Sequence, residues 1–330
     1  MKISSADLKS FLNGAVSLAE EEGGVIPARF TDHQMSVYAQ SGTFALRAGA
    51  SAGACLGLRT DAEALSLSYR VWAGSSQDFY SFDLYADGIL YRSVPGLLSQ
   101  APAGTLRFSL PEGVKTLQFY LPNLQRTRIS DISLDGASFA EPLTGRRRLL
   151  CLGDSITQGY LAKTHSFCYA SRISRLLNAE LLNQGVGAEC CHTETLEDNL
   201  PDKPDLVTVA FGTNDWSTRS RRHFEEEAAR YMKHVAEIYE GSQIAVLSPL
   251  PRLDEYKNPE WSLPEARKRL EEIVSDIPGL TLIPGLKLMP CDETLLSDHV
   301  HPNNKGFGVI ADNLLKLLPG SWKTERKETL

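Results

Sequence analysis

Residues 148–159 constrain the fold more than any other segment. The apolar run Leu149-Leu150-Cys151-Leu152 is typical of a buried strand, breaks at Gly153-Asp154-Ser155, and is followed by a more polar, helix-compatible segment. A strand that ends on a serine just before a helix places the hydroxyl at the C-terminal edge of a sheet. Backbone N–H groups and the positive end of a helix dipole lie close to such a position. It suits a nucleophile, although Asp154 or Ser155 could equally be only a helix N-cap.

Beyond this segment, the C-terminal half alternates between strand-like and helix-like patterns. Strand candidates lie at 148–152, 180–184, 205–211, 243–248 and 280–283, and helix candidates at 166–178, 193–200, 221–240, 259–276 and 303–318. Strands that are separated by helices pair in parallel, and the helices cover both faces of the sheet. Ligands of such sheets bind at the C-terminal ends of the strands, where Ser155 is expected to lie.

The N-terminal part has a different pattern. A helix-like period covers residues 4–20, and strand-like runs follow at 34–38, 43–47, 64–71, 79–86, 89–94, 104–110, 115–121 and 129–134. Several runs alternate apolar and polar residues, and Asp87-Gly88 is a hairpin signal between two of them. Short strands without helices between them predict an all-β, jelly-roll-like sandwich. We therefore expect two domains, at 1–142 and 146–330, joined through a linker at 137–147.

Charge and cysteine content narrow the classes of function. The 330 residues carry a net charge of −7, and no basic patch dominates, which argues against binding to nucleic acid or anionic membranes. The six cysteines form no C-x-x-C pair and no metal-like pattern with histidine, so free thiols in a reducing compartment are expected. No apolar stretch approaches the length of a membrane span. We expect a cytoplasmic protein without a metal site, a nucleic-acid partner or a membrane partner, and a homo-oligomer is compatible with the sequence.

Residues that can carry chemistry recur at the predicted strand ends and before the last helix. They form four separated stretches, Gly-Asp-Ser at 153–155, Asn-Gln-Gly-Val-Gly at 183–187, Gly-Thr-Asn-Asp-Trp at 212–216 and Asp-His-Val-His-Pro at 298–302. The C-terminal ends of parallel strands share one edge of a sheet, so these stretches can meet in space.

Together the four stretches supply the groups that acyl transfer needs. Ser155 can be the nucleophile and His301 the base that takes its proton. Asp298 precedes His301 by three residues, so both side chains can point the same way and the carboxylate can favour the imidazolium. The expected oxyanion donors are the N–H groups of Ser155 and Gly185 and the side-chain amide of Asn214.

Two assignments have competing interpretations. His299 is the rival base, but in an extended chain a histidine directly beside Asp298 would point away from it, which favours His301. Trp216 follows the third stretch, and it either lines the substrate pocket at its edge or packs in the core. The sequence leaves the choice for Trp216 open.

This set resembles the SGNH hydrolases, the larger group that contains the GDSL lipases and esterases. Their four blocks centre on Ser, Gly, Asn and His, which correspond here to Ser155, Gly185, Asn214 and His301, with Asp298 in the D-x-x-H arrangement. The resemblance covers residues 148–318. The second block of the group often reads N-x-G-x-x-G, and this chain departs from it with Ala188 at the last position.

The resemblance implies a flavodoxin-like three-layer α/β/α domain and ester hydrolysis without a metal ion or other cofactor. A β-sandwich ahead of such a domain resembles certain two-domain carbohydrate esterases and acyltransferase-like members. We therefore expect a serine esterase that acts on short acyl esters, with an acetylated carbohydrate as the expected substrate class. The alternatives are acyl transfer to an alcohol other than water, and glycan binding through the β-domain.

Overall fold

The computed structural model describes residues 1–143 and 146–322. Residues 144–145 of the expected linker and residues 323–330 of the expected second domain lie outside the described part. The elements of the N-terminal part are α1 (Ser5–Phe11), β1 (Leu12–Asn13), β2 (Ser17–Glu21), β3 (Gly24–Ala28), α2 (Asp32–Tyr38), α3 (Gly42–Ala48), β4 (Cys55–Thr60), β5 (Ala64–Ala73), β6 (Phe79–Ala86), β7 (Ile89–Leu97), β8 (Ala103–Ser109), β9 (Lys115–Tyr120), β10 (Gln125–Asp135) and β11 (Ala140–Pro142).

These strands form a sandwich of two antiparallel sheets. One sheet has the order β2-β3-β10-β5-β8 and the other β1-β4-β9-β6-β7, with β11 added beside β4. The central strands have the arrangement of a jelly roll. Alternation creates the inner faces: on β5, Leu65 and Leu67 are buried while Ser66 and Ser68 between them are not. The predicted β-sandwich is therefore confirmed.

Two of the predicted strands, 34–38 and 43–47, are wrong, because these residues lie in helices α2 and α3. Thr31 and Gln34 form a reciprocal capping box that starts α2, a local signal that outweighs the strand-like pattern. The helices are also held by tertiary packing, since Tyr38 and Ala48 cover the buried Val186 of the C-terminal part. The helix expected over 4–20 is shorter than predicted, because it ends at Phe11 and strand β2 begins at Ser17.

The C-terminal part is a doubly wound α/β domain. Its elements are β12 (Arg147–Gly153), α4 (Ser155–Gln158), α5 (Tyr169–Leu176), β13 (Ala179–Gly185), β14 (Leu206–Ala210), α6 (Thr213–Thr218), α7 (Arg221–Ile238), β15 (Gln243–Leu247), α8 (Leu263–Ser275), β16 (Leu280–Ile283), α9 (Gly285–Leu288) and α10 (Asn304–Leu317). The expected helix at 193–200 is wrong, because only a single 3₁₀ turn (Thr193–Thr195) forms there.

All five strands of this sheet are parallel, in the order β13-β12-β14-β15-β16, which is the flavodoxin-like order. Helices α5 and α10 pack on one face, and α7 and α8 pack on the other. The predicted three-layer fold class is confirmed. Gly153 at the end of β12 pairs in register with Gly185 of β13 and Ala210 of β14, so the loops that follow these strands meet at one edge.

The two parts share a buried polar interface. The backbone N–H of Asn123 donates to Nδ1 of His165 (2.8 Å), and the Asn123 amide donates to the His165 carbonyl (2.8 Å). The carboxylate of Asp83, which is fully buried, accepts the N–H of Ser166 at 2.8 Å. These bonds fix how the sandwich sits against the α/β domain. Within the described residues, helices are too short or too polar to cross a membrane.

Candidate active site

Ser155 is the first residue of α4, a helix of only four residues that follows β12 directly. Asp154 caps this helix, since its Oδ1 accepts the N–H of Ile156 at 2.9 Å. Gly153 makes the sharp turn possible, because a Cβ there would lie 2.1 Å from Oγ1 of Thr157. The turn holds the Ser155 side chain at the C-terminal edge of the sheet with 8% of its surface exposed.

The structure brings Ser155, His301 and Asp298 together in a hydrogen-bonded chain. Oγ of Ser155 lies 2.9 Å from Nε2 of His301, and Nδ1 of His301 lies 2.8 Å from Oδ2 of Asp298. The second carboxylate oxygen of Asp298 accepts the N–H groups of Val300 and His301. His299 is exposed, and the imidazole that contacts Asp298 is that of His301. This geometry allows His301 to take the serine proton while Asp298 orients the ring.

Burial and neighbouring charges shift the pKa values of His301 and Asp298. Burial lowers the pKa of His301 below its ordinary value of 6.5, reinforced by Arg252 and opposed by the bond to Asp298. Burial by itself would raise the pKa of Asp298, but the hydrogen bonds that it accepts from His301 and Val300 outweigh this and lower its pKa. At neutral pH the pair is therefore a carboxylate and a neutral imidazole, the state that a general base requires.

Gly185 does not reach the oxyanion position that the sequence suggested. Its N–H donates to Oδ1 of Asn183 at 2.9 Å, so this donor is already used. The absence of a side chain serves packing instead, because a Cβ on Gly185 would lie 2.3 Å from the backbone nitrogen of Gln158 in α4. We therefore correct the role of Gly185: it lets α4 approach β13 closely and does not supply the donor.

The available N–H in this loop belongs to Ala188. Residues 186–189 form a turn closed by the Glu189 N–H and the Val186 carbonyl (3.1 Å), and Ala188 has a left-handed φ of +64°. Such a position normally takes glycine, which is the residue that the N-x-G-x-x-G pattern has there. Ala188 is exposed, and its N–H has no acceptor within the described part of the chain. The departure from the pattern at Ala188 is the signal in the sequence that marks this donor.

Asn214 lies beside the same turn. Its amide nitrogen donates to the Glu189 carbonyl at 3.0 Å, and the amide has a second N–H. Asp215 fixes the loop that carries Asn214, accepting the N–H groups of Gly212 and Cys191. The N–H of Ser155 at the start of α4, the N–H of Ala188 and the amide of Asn214 are thus the candidate donors to an oxyanion.

Trp216 does not line a pocket. It is fully buried, and its indole N–H donates to the Trp261 carbonyl at 2.9 Å. The guanidinium of Arg252 covers its ring at 5.2 Å from the centroid. Of the two interpretations that the sequence allowed, the structure supports core packing, and the tentative assignment of Trp216 to the substrate pocket is wrong.

The structure adds one aromatic side chain that the sequence analysis missed. The ring of Tyr160 packs against the imidazole of His301, with centroids 4.8 Å apart. The Tyr160 hydroxyl lies 3.0 Å from Oγ of Ser76 and accepts the Gln77 amide at 2.8 Å, and both residues belong to the sandwich. No local motif marks Tyr160, because its role depends on a contact between the domains.

A small apolar cavity of about 30 Å³ lies beside the candidate site, but Ser155, Asn214 and His301 do not line it. Its lining includes the neighbours in sequence of Ser155, Asn214 and His301, namely Ile156, Thr213 and Val300. A space of this size holds about a water molecule. Among the described residues, no group of three or more His, Cys, Asp or Glu side chains is arranged to hold a metal ion.

Comparison with known proteins agrees with this geometry. Residues 151–309 match the model of the GDSL-like Lipase/Acylhydrolase family. Comparison with curated proteins gives no match.

Solved structures resemble the whole chain. A salicylyl acyltransferase, SsfX3, from a tetracycline biosynthetic pathway is 21% identical over 96% of both chains, with a TM-score of 0.82. A family two carbohydrate esterase from Cellvibrio japonicus is 15% identical over 96% of both chains, with a TM-score of 0.64. The acetyl xylan esterase Est2A from the rumen bacterium Butyrivibrio proteoclasticus is 13% identical over 98% of both chains, with a TM-score of 0.64. At these identities the likeness establishes the two-domain fold.

Proposed function

We propose, on the premise that residues 151–309 match the GDSL-like Lipase/Acylhydrolase family, that this chain is an ester hydrolase that cleaves short-chain acyl esters through an acyl-enzyme on Ser155. The observation that carries the proposal is the continuous chain from Ser155 Oγ through the His301 ring to Asp298, with bonds of 2.9 and 2.8 Å.

The reaction follows from these contacts. Oγ of Ser155 attacks the ester carbonyl carbon as Nε2 of His301 takes the hydroxyl proton, and Asp298 stabilises the imidazolium that forms. The tetrahedral oxyanion accepts the N–H groups of Ser155 and Ala188 and the amide of Asn214. When the oxyanion collapses, His301 gives its proton to the leaving alcohol. Water, activated by the same imidazole, then releases the acid and restores the serine.

The proposed substrate is an acetyl or similarly short ester, with a carbohydrate as the alcohol part. A protein of the same two-domain fold is described as an acetyl xylan esterase, which supports the short acyl part. Two proteins of the same two-domain fold are described as a carbohydrate esterase and an acetyl xylan esterase, which supports the carbohydrate part.

Acyl transfer to an alcohol other than water is the second candidate. It is favoured by the likeness over 96% of both chains to a salicylyl acyltransferase, whose TM-score of 0.82 exceeds those of the two esterases. Product analysis separates the two candidates. A hydrolase gives free acid whether or not an alcohol acceptor is added, whereas a transferase gives a new ester when the acceptor is present.

Replacing the nucleophile tests the proposal. We expect Ser155→Ala to lower the hydrolysis of p-nitrophenyl acetate by about a thousandfold or more while leaving the circular dichroism spectrum unchanged, because the substitution removes only Oγ. Ser68→Ala, on the outer face of the sandwich, is the matched control and should keep full activity. Wild-type rates in Ser155→Ala would contradict the assignment.

A further inference from the structure

We propose that Arg47 of the sandwich domain is a positioning residue that aims and polarises the Ala188 N–H toward the oxyanion. On this view, the active site is complete only with the N-terminal domain in place. The inference rests on the proposed function, since it concerns how one oxyanion donor is held.

Arg47 and the Ala188 N–H act on the same peptide unit. The carbonyl of Gly187 and the N–H of Ala188 belong to the same peptide group, and in a planar trans peptide they point in opposite directions. Nη1 of Arg47 donates to that carbonyl at 2.7 Å. Holding the oxygen from one side therefore fixes the direction of the N–H on the other side. The Ala188 N–H is left without an internal acceptor within the described residues.

The same contact ties the loop to the helix that carries the nucleophile. Gln158 lies in α4 with Ser155, and its Oε1 accepts the Gly187 N–H at 2.8 Å. Its amide nitrogen donates to the backbone carbonyl of Arg47 at 3.1 Å. Arg47, Gln158 and Gly187 thus form a closed set of hydrogen bonds, which sets the distance between the serine and the donor.

A second arginine of the sandwich holds the strand that leads into this loop. Arg29 is 1% exposed, and its Nη1 donates to the carbonyls of Asn183 (2.5 Å) and Gly185 (3.0 Å). With Arg47 on Gly187, alternate carbonyls of the segment are bound by guanidinium groups from the other domain. Such support is needed because a left-handed backbone brings the alanine Cβ close to a carbonyl oxygen and is unfavourable.

The positive charge of Arg47 also strengthens the hydrogen bond that the Ala188 N–H can donate. Arg47 makes no ion pair with a carboxylate in the described part of the chain, so its positive charge is not cancelled locally. A cation on the carbonyl of an amide withdraws electron density and strengthens the hydrogen bond that the N–H of that amide donates. The benefit is greatest when negative charge develops on the substrate oxygen, so Arg47 should act on the transition state more than on substrate binding.

The test compares Arg47→Met and Arg47→Lys with wild type. We expect Arg47→Met to lower kcat for p-nitrophenyl acetate about tenfold to a hundredfold with KM within about twofold of wild type. Its Ki for methylboronic acid, which forms a tetrahedral anion on the serine, should rise by a similar factor. Arg47→Lys keeps the charge and a donor and should give intermediate values. Arg107→Met, an exposed arginine on the outer face of the same domain, is the control and should match wild type.

The outcomes separate the two proposals. If the wild type hydrolyses esters and Arg47→Met does so with unchanged kcat and boronate affinity, the role of Arg47 is overturned while the esterase stands. If the wild type and Ser155→Ala are equally inactive, the proposed function fails and the inference fails with it. Should Arg47→Met not fold, Arg47→Lys decides, because lysine lacks the planar guanidinium that fixes the direction of the bond to the Gly187 carbonyl. Wild-type boronate affinity in that variant, instead of the intermediate value, would overturn the role of the guanidinium.

Discussion

The imidazole of His301 is held on two sides by contacts of different kinds. Asp298 accepts from Nδ1, and because its other oxygen is occupied by two backbone N–H groups, the carboxylate cannot turn away. The flat ring of Tyr160 packs against the imidazole. These contacts favour the tautomer with the proton on Nδ1, which leaves Nε2 free to accept from Ser155. A single rotamer and a single tautomer are thus set before substrate arrives.

This arrangement predicts the pH dependence of the reaction. Activity needs neutral His301, and burial lowers its pKa below 6.5, so kcat/KM should be flat at neutral pH and fall only as pH drops through that lower pKa. In Asp298→Asn the carboxylate that raises this pKa is lost, so the acid limb should move to still lower pH. The amide should also favour the wrong tautomer and reduce kcat/KM by about a hundredfold or more.

The measurement is the pH–rate profile of both proteins, with Asp292→Asn as a control on the same loop. Asp292 caps the turn at residues 293–295 and makes no contact with His301, so its variant should keep the wild-type profile. An acid limb above pH 6.5 in the wild type, or an upward shift in Asp298→Asn, would contradict the electrostatic account.

At the scale of elements, the approach of α4 to β13 decides where the nucleophile stands. Gly185 allows this close approach because it has no side chain. A methyl group at this position would lie 2.3 Å from the backbone nitrogen of Gln158, and a backbone atom cannot move aside as the end of a flexible side chain can. We expect Gly185→Ala to lower the free energy of unfolding by roughly 2 kcal/mol or more, because backbone must shift. Urea unfolding measures this.

Gly42→Ala is the matched control, since nothing lies within 4 Å of a Cβ at Gly42, in the first turn of α3. That variant should be neutral or slightly more stable. Alanine keeps the backbone N–H, so if Gly185 were only an oxyanion donor, Gly185→Ala would be as stable as wild type. Normal stability would therefore restore the role that the sequence suggested.

The elements that the sequence predicted well have strong local signals. The end of β12 at Gly153, and Asp298 three residues before His301, could be read directly because period and spacing decide them. Trp216 could not be assigned, since the side it faces depends on the contact with Trp261. Helices α2 and α3 were predicted as strands because seven-residue segments carry little periodicity, although Thr31 and Gln34 held a capping signal. Ala188 stands where the N-x-G-x-x-G pattern has glycine, and only the left-handed φ of +64° shows what that position does.

At the scale of the whole molecule, the sandwich contacts the segments that carry the candidate active site. Its residues reach the α/β domain at several places, among them Arg29 on the end of β13, Arg47 on the loop that follows, Gln77 on Tyr160, and Asn123 on His165. The sequence predicted two domains but gave no sign of these contacts, because each contact joins residues distant in the chain. The same contacts bury polar groups that would be unsatisfied if the domains separated.

We therefore expect the two domains to unfold together. Removing the guanidinium in Arg29→Met orphans the buried carbonyls of Asn183, Gly185 and Ala50, which should lower stability by about 3 kcal/mol or more. Hydrogen exchange, measured by mass spectrometry across a urea series, tests both the joint unfolding of the domains and the lower stability of Arg29→Met. Peptides from β5 and β12 should lose protection at one urea concentration in the wild type, and at one lower concentration in Arg29→Met. Protection that survives in β5 after β12 has exchanged would show that the two domains unfold separately. The guanidinium of Arg29 would then stabilise only its local contacts and not both domains.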